Sequence, residues 1–142
     1  MALNFRIGSR RTKVLCVATL TVAALPLAAQ PKVLGLFEGL TKGEWTVKYR
    51  DGSPDQKLCL KTGEELIQLK HGQSDCSRYV VEESPSQVTV QYTCPKEGFG
   101  RTQVRRENSS LVQIESQGFA SGLPFEIAAE ARLTGTCSPT TQ

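Results

Sequence analysis

The sequence predicts a mainly β domain: an antiparallel meander of about seven strands, curled into an open barrel or a sandwich. One short helix and two disulfides complete the expected fold. Three observations predict it. Apolar residues recur with a period of two in run after run, the spacing of strands with one wet face. The runs are separated by short clusters of turn-forming residues, too short for crossover helices. Cys59, Cys76, Cys94 and Cys137 give an even cysteine count to the part of the chain that folds.

The first 29 residues stand apart from that domain. Arg6, Arg10, Arg11 and Lys13 form a basic start with no acid in it. Val14 to Leu25 (VLCVATLTVAAL) is an uncharged apolar run of 12 residues, ended by Pro26. Leu27-Ala28-Ala29 then offers the small residues a signal peptidase needs, leaving Gln30 as the expected mature N-terminus. This tripartite pattern is that of a cleavable export signal. The run is too short for a bilayer span, which takes about 20 apolar residues. Arg10-Arg11 resembles a twin-arginine signal, but Lys13 stands where that signal prefers a large apolar residue. Cys16 lacks the small neighbour of a lipidated cysteine. The expectation is a soluble mature protein, periplasmic or secreted after cleavage near Ala29.

Charge follows from the same division. The whole chain is +3, but residues 1–29 hold four of its 17 Lys and Arg and none of its 14 Asp and Glu. The mature part therefore carries 13 basic against 14 acidic side chains, a net charge of −1. Nothing in that balance calls for nucleic acid.

Residues 30–43 read as a Gly-rich lead-in with one helical turn at Val33–Leu40, before a β domain over 44–137 and a polar tail at 138–142. In EWTVKYR, Trp45, Val47 and Tyr49 alternate with Thr46, Lys48 and Arg50, so Trp45 is expected in the core. Asp51–Asp55 is a turn, followed by the short strand QKLCL. Thr62–Lys70 is the best helix candidate: Thr62 caps it, and Glu65 completes a capping box. SRYVVEE and QVTVQYTC flank the reversal Ser84-Pro85-Ser86. Residues 99–107 and 110–117 flank Asn108-Ser109. The last strand carries Phe125, Ile127, Ala129, Ala131 and Leu133 on one side.

Strand parity then suggests the disulfides. Cys94 shares a face with Val88, Val90 and Tyr92, and Cys137 continues the odd series of Phe125 to Leu133. Cys59 alternates with Leu58 and Leu60, and Cys76 with Tyr79 and Val81. Parity therefore expects Cys94–Cys137 on the apolar side and Cys59–Cys76 on the other; a single β-bulge would undo the assignment.

In this order the motifs resemble a known family. Gly43-Glu44-Trp45, Cys59-Leu60, Asp75-Cys76, the Val-x-Tyr-x-Cys of Val90 to Cys94 and the Leu-x-Gly-x-Cys of Leu133 to Cys137 are similar to those of small exported bacterial proteins. That family is catalogued as domain of unknown function 3617, and the likeness covers roughly residues 36–137. It implies a periplasmic home in a Gram-negative bacterium and brings no reaction, ligand or site residue with it.

Chemistry-bearing patterns are sparse. His71 is the only histidine, in a polar stretch where a cation at a helix end is favourable, and no G-x-S-x-G elbow occurs. Glu64/Glu65 and Glu82/Glu83 fall on different sides of their elements and read as solvated charges. Asp51-x-Ser53-x-Asp55 starts like a calcium loop but has Gln56 and Thr62 where glycine and glutamate belong. No metal, cofactor or catalytic constellation is expected, and the chain reads as a non-enzyme. Arg101, Arg105 and Arg106 beside Lys96 form a candidate basic patch, or the charged guard of an edge strand. Gly118–Pro124 (GFASGLP) is a candidate binding loop through Phe119 and Leu123. The expected function is a binding or envelope-associated module whose partner is an envelope protein or a lipid. The alternative is a secreted inhibitor of an envelope-targeting hydrolase.

Overall fold

The computed structural model describes residues 34–72 and 75–138. The expected export signal and cleavage near Ala29, with Arg10-Arg11 and Cys16, and tail residues 139–142 lie outside the described residues. The elements are α1 (Gly35–Glu38), β1 (Gly43–Tyr49), β2 (Gln56–Leu60), a 3-10 turn (Glu64–Leu66) and β3 (Ser77–Glu83). Then come β4 (Gln87–Cys94), β5 (Gly98–Asn108), β6 (Leu111–Ala120) and β7 (Leu123–Gly135). All seven strands lie in one antiparallel sheet, in the order β2-β1-β7-β6-β5-β4-β3, rather than in the two sheets of a sandwich.

One face of that sheet holds the core. Trp45 and Val47 of β1, Val88, Val90 and Tyr92 of β4, Val104 of β5, Val112 and Ile114 of β6, and Ala129 and Ala131 of β7 are all closed to solvent. Two segments cover them. Leu34, Leu36, Phe37 and Leu40 come from α1 and its flanks, and Leu66 and Ile67 from the crossing between the two edge strands. The described part of the lead-in, from Leu34 on, is thus part of the folded core. Trp45 is fully buried as expected, and its indole N–H donates to the Thr41 carbonyl at 3.0 Å. Satisfying that polar handle is what allows so large a side chain inside.

The helix expected over Thr62–Lys70 forms only the 3-10 turn. Only part of its capping chemistry is present: the Glu65 carboxylate accepts from the amides of Lys61, Thr62 and Gly63, and the Thr62 hydroxyl from the Glu64 amide, while the turn itself is capped at Gly63 without a side-chain bond. Propagation fails for two reasons. Gly63 sits at φ 95° directly against Phe37, where a Cβ would overlap the ring. Leu66, Ile67 and Gln68 are then buried consecutively, which a helix with one wet face cannot do.

The disulfides differ from the parity assignment. Cys59 pairs with Cys137 and Cys76 with Cys94, at Cα separations of 5.3 and 4.2 Å. Cys94 does lie on the core face and Cys59 opposite, but the other two cysteines change sides. In β7 the register jumps from Trp45↔Leu133 to Glu44↔Gly135, so Thr134 is an extra residue. That bulge puts Gly135, and Cys137 two residues on, on the open face with Glu44 and its partner Cys59. At β3 the pairs Arg78↔Tyr92 and Val80↔Val90 put the even residues on the core side, so Cys76 meets Cys94. Tyr79 and Val81, expected inside, are 72% and 41% exposed on this edge strand. A second bulge at Val81 turns the far end of β3, where Glu83 accepts from the Gly35 amide at 2.9 Å.

Candidate functional site

With the core on one face, the other face of the central strands is free to carry side chains for a ligand. Its rows are fixed by register. Gln91, Arg101, Gln117 and Glu126 stand side by side across β4, β5, β6 and β7. The next row toward the hairpin ends is Thr93, Phe99, Phe119 and Pro124. Phe99 and Phe119 are direct cross-strand partners with ring centroids 5.5 Å apart and planes tilted by 36°. Cross-strand aromatic pairs of this kind strengthen a sheet, yet these rings stay 46% and 45% exposed.

A hollow of about 370 Å³ lies between the two rows, walled by Gln91, Phe99, Arg101, Gln117 and Phe119, with the backbone of Gly100 and Gly118 at its floor. A second hollow, of about 340 Å³, adjoins it and shares Arg101 and Gln117. Gln103, Glu115 and Glu126 border that one. The two form a trough across the sheet with Arg101 at its centre. None of the ion pairs among the described residues includes Arg101, whereas Arg105 is held by Glu107 at 2.6 Å.

The arginine patch read from the sequence therefore divides. Arg101 and Arg105 point to the open face, but Arg106 pairs with Val112 and lies on the core side against Gly39. There it donates to the Pro85 carbonyl at 2.9 Å and fastens a turn. The binding loop divides too. Gly118–Pro124 is a hairpin with Ser121 and Gly122 at its tip, both at positive φ as a tight two-residue turn requires. Phe119 faces the trough, while Leu123 is paired with Ala120 on the opposite face and is 70% exposed at the rim. The signal that could have found the site was parity: Phe99 and Arg101 share a face of β5, and Phe119 lies where the hairpin at Asn108 folds back.

His71 is not exposed at the end of a helix. It is buried, 7% exposed, with its Nδ1 3.1 Å from the Tyr92 hydroxyl and its ring edge-on to Tyr92 and Phe125. Burial raises the Tyr92 phenol above its usual range, partly offset by its hydrogen bond to Ser116. Ser116 in turn bonds to Thr102 at 2.7 Å, and Thr102 donates to the Ile67 carbonyl. This chain of hydroxyls ties the crossing segment to the sheet. Glu64 meets Arg78, and Asp51 accepts from the Ser53 amide at 2.9 Å, which keeps its carboxyl low and confirms a turn. Among the described residues no cluster of three His, Cys, Asp or Glu could hold a metal, and no helix is long and apolar enough to cross a membrane. No family model, curated protein or solved structure matches the chain.

Proposed function

We propose that the chain is an exported, non-enzymatic binding module of the bacterial envelope, of the family its motifs resemble, and that it binds through the open face of its sheet. One observation carries this reading: the fold closes its core on one face, yet keeps Phe99 and Phe119 half exposed beside Arg101 on the other. Side chains that contribute little to the core and still expose aromatic surface next to a charge are typical of recognition surfaces. The two disulfides support an oxidising compartment. The inhibitor reading draws on a different feature, Leu123 exposed beside the tip of the β6–β7 hairpin, where a hydrolase cleft could receive it.

Capture from an envelope extract, with bound proteins, lipids and glycans identified by mass spectrometry, separates these readings. The proposal expects a bound species retained by the Leu123→Ser chain and lost by the Phe99→Ser/Phe119→Ser chain. Loss with Leu123→Ser alone, together with a captured hydrolase, would support the inhibitor. N-terminal sequencing of the native chain should begin within a few residues of Gln30; an intact Val14–Leu25 segment in membranes would refute export in mature form.

A further inference from the structure

We infer that the trough centred on Arg101 is a site for a carboxylated saccharide, such as a uronate-containing oligosaccharide; this rests on the open-face reading above. Three features of the trough point to that class together. The Phe99–Phe119 pair offers apolar ring surface at one end, suited to the C–H face of a sugar ring. Gln91 and Gln117 flank Arg101 in register, and each amide presents both a donor and an acceptor, the pairing that a row of hydroxyls requires. Arg101 supplies a planar donor fork matched to a carboxylate and is bound to none of this chain's described acids.

Competing ligand classes fit less well. An acyl chain would have to lie along Gln103, Gln117, Glu115 and Glu126, which would lose hydration without gaining partners. A polyanion dense in phosphate or sulfate would meet Glu115 and Glu126 as soon as it extended past Arg101. A saccharide with a carboxylate at Arg101 and a neutral residue over Gln103 satisfies both ends, because Glu115 and Glu126 can accept from its hydroxyls. The hollows, at about 370 and 340 Å³, are in the range of small-ligand sites.

The test is an array of oligosaccharides containing glucuronate, galacturonate or mannuronate, each beside its carboxyl-reduced form, probed with the folded, disulfide-bonded chain. At least one acidic member should bind and its reduced form should not. For that member, Arg101→Gln should weaken binding by about tenfold or more, the usual effect of losing a charged hydrogen bond. Phe119→Ala should also weaken it, and added salt should lower it. Unchanged thermal unfolding of each variant shows that folding is not the cause; Gln91→Ala is a milder second probe of the same trough. No binding to any acidic member, equal binding of a reduced form, or an unaffected Arg101→Gln chain would each overturn the inference. If the array is blank while Phe99→Ser/Phe119→Ser still abolishes capture from extract, the open-face reading survives and the saccharide assignment falls.

Discussion

On the covered face of the sheet, Trp45, Val47, Val88, Tyr92, Val104 and Ile114 are sealed beneath α1 and the crossing segment. On the open face of the same strands, Phe99 and Phe119 leave nearly half their surface in water, with Arg101 and two glutamines beside them. Residues adjacent in sequence, such as Arg101 and Thr102, belong to different worlds because successive side chains point to opposite faces. Along the central strands the two faces differ in what they hold: the covered one carries the apolar core, and the open one carries Phe99, Phe119 and Arg101 outside it.

The largest effect that could break this comparison is at Trp45. Trp45→Ala removes the largest fully buried side chain and should cost about 3–5 kcal/mol. That is a large part of a small domain's stability. Chemical denaturation should show it; a loss under about 1 kcal/mol would mean the covered face is not the main source of stability.

The disulfides come next and should rank by the loop they close. Cys59–Cys137 spans 78 residues and Cys76–Cys94 spans 18. Chain entropy assigns the first about 4.5 kcal/mol and the second about 3 kcal/mol. Replacing each pair by alanine and comparing unfolding midpoints checks the order. Non-reducing peptide mapping should recover both linkages; a Cys59–Cys76 peptide would contradict the bulge in β7.

His71→Gln sharpens the comparison at its boundary. Losing the Tyr92 bond and the contacts with Tyr92 and Phe125 should cost about 1–3 kcal/mol, more than an exposed helix-end charge could. The same cluster predicts alkaline sensitivity. Burial raises the Tyr92 phenol in the folded state, so the neutral form is favoured there. Its contribution is complete below the unfolded value of about 10 and is lost as pH rises through the folded value. Melting temperature should therefore fall above about pH 10, and Tyr92→Phe should flatten the fall. Tyr49, raised first by burial and then by Asp51, leaves a residual slope. The smallest stability effect belongs to the open face: Arg101→Gln should stay within about 0.5 kcal/mol.

Much of the architecture was legible because alternation is a local property. β4 shows it most cleanly: Val88, Val90, Tyr92 and Cys94 occupy one face without interruption. Parity carries only as far as the register does, and the extra Thr134 in β7 reversed it one step before Cys137. Tyr79 and Val81 look like core residues, but an edge strand places them outside, and nothing in the seven residues of β3 announces an edge. The Thr62–Glu65 box forms one of its two bonds, and tertiary demands on Gly63 and Leu66–Gln68 stop the helix after one turn. The site was half legible. Phe119 and Arg101 stand out as residues, but their meeting across β5 and β6 depends on the register set at Asn108.

The most direct measurement of the division between faces is an NMR titration of the folded chain with the acidic oligosaccharide retained on the array. The Arg101 side-chain Nε–H and the side-chain amides of Gln91 and Gln117 should shift together and saturate, while the Trp45 indole N–H stays in place. Shifts at the Trp45 indole with silence at Arg101 would place binding on the covered face and contradict the account.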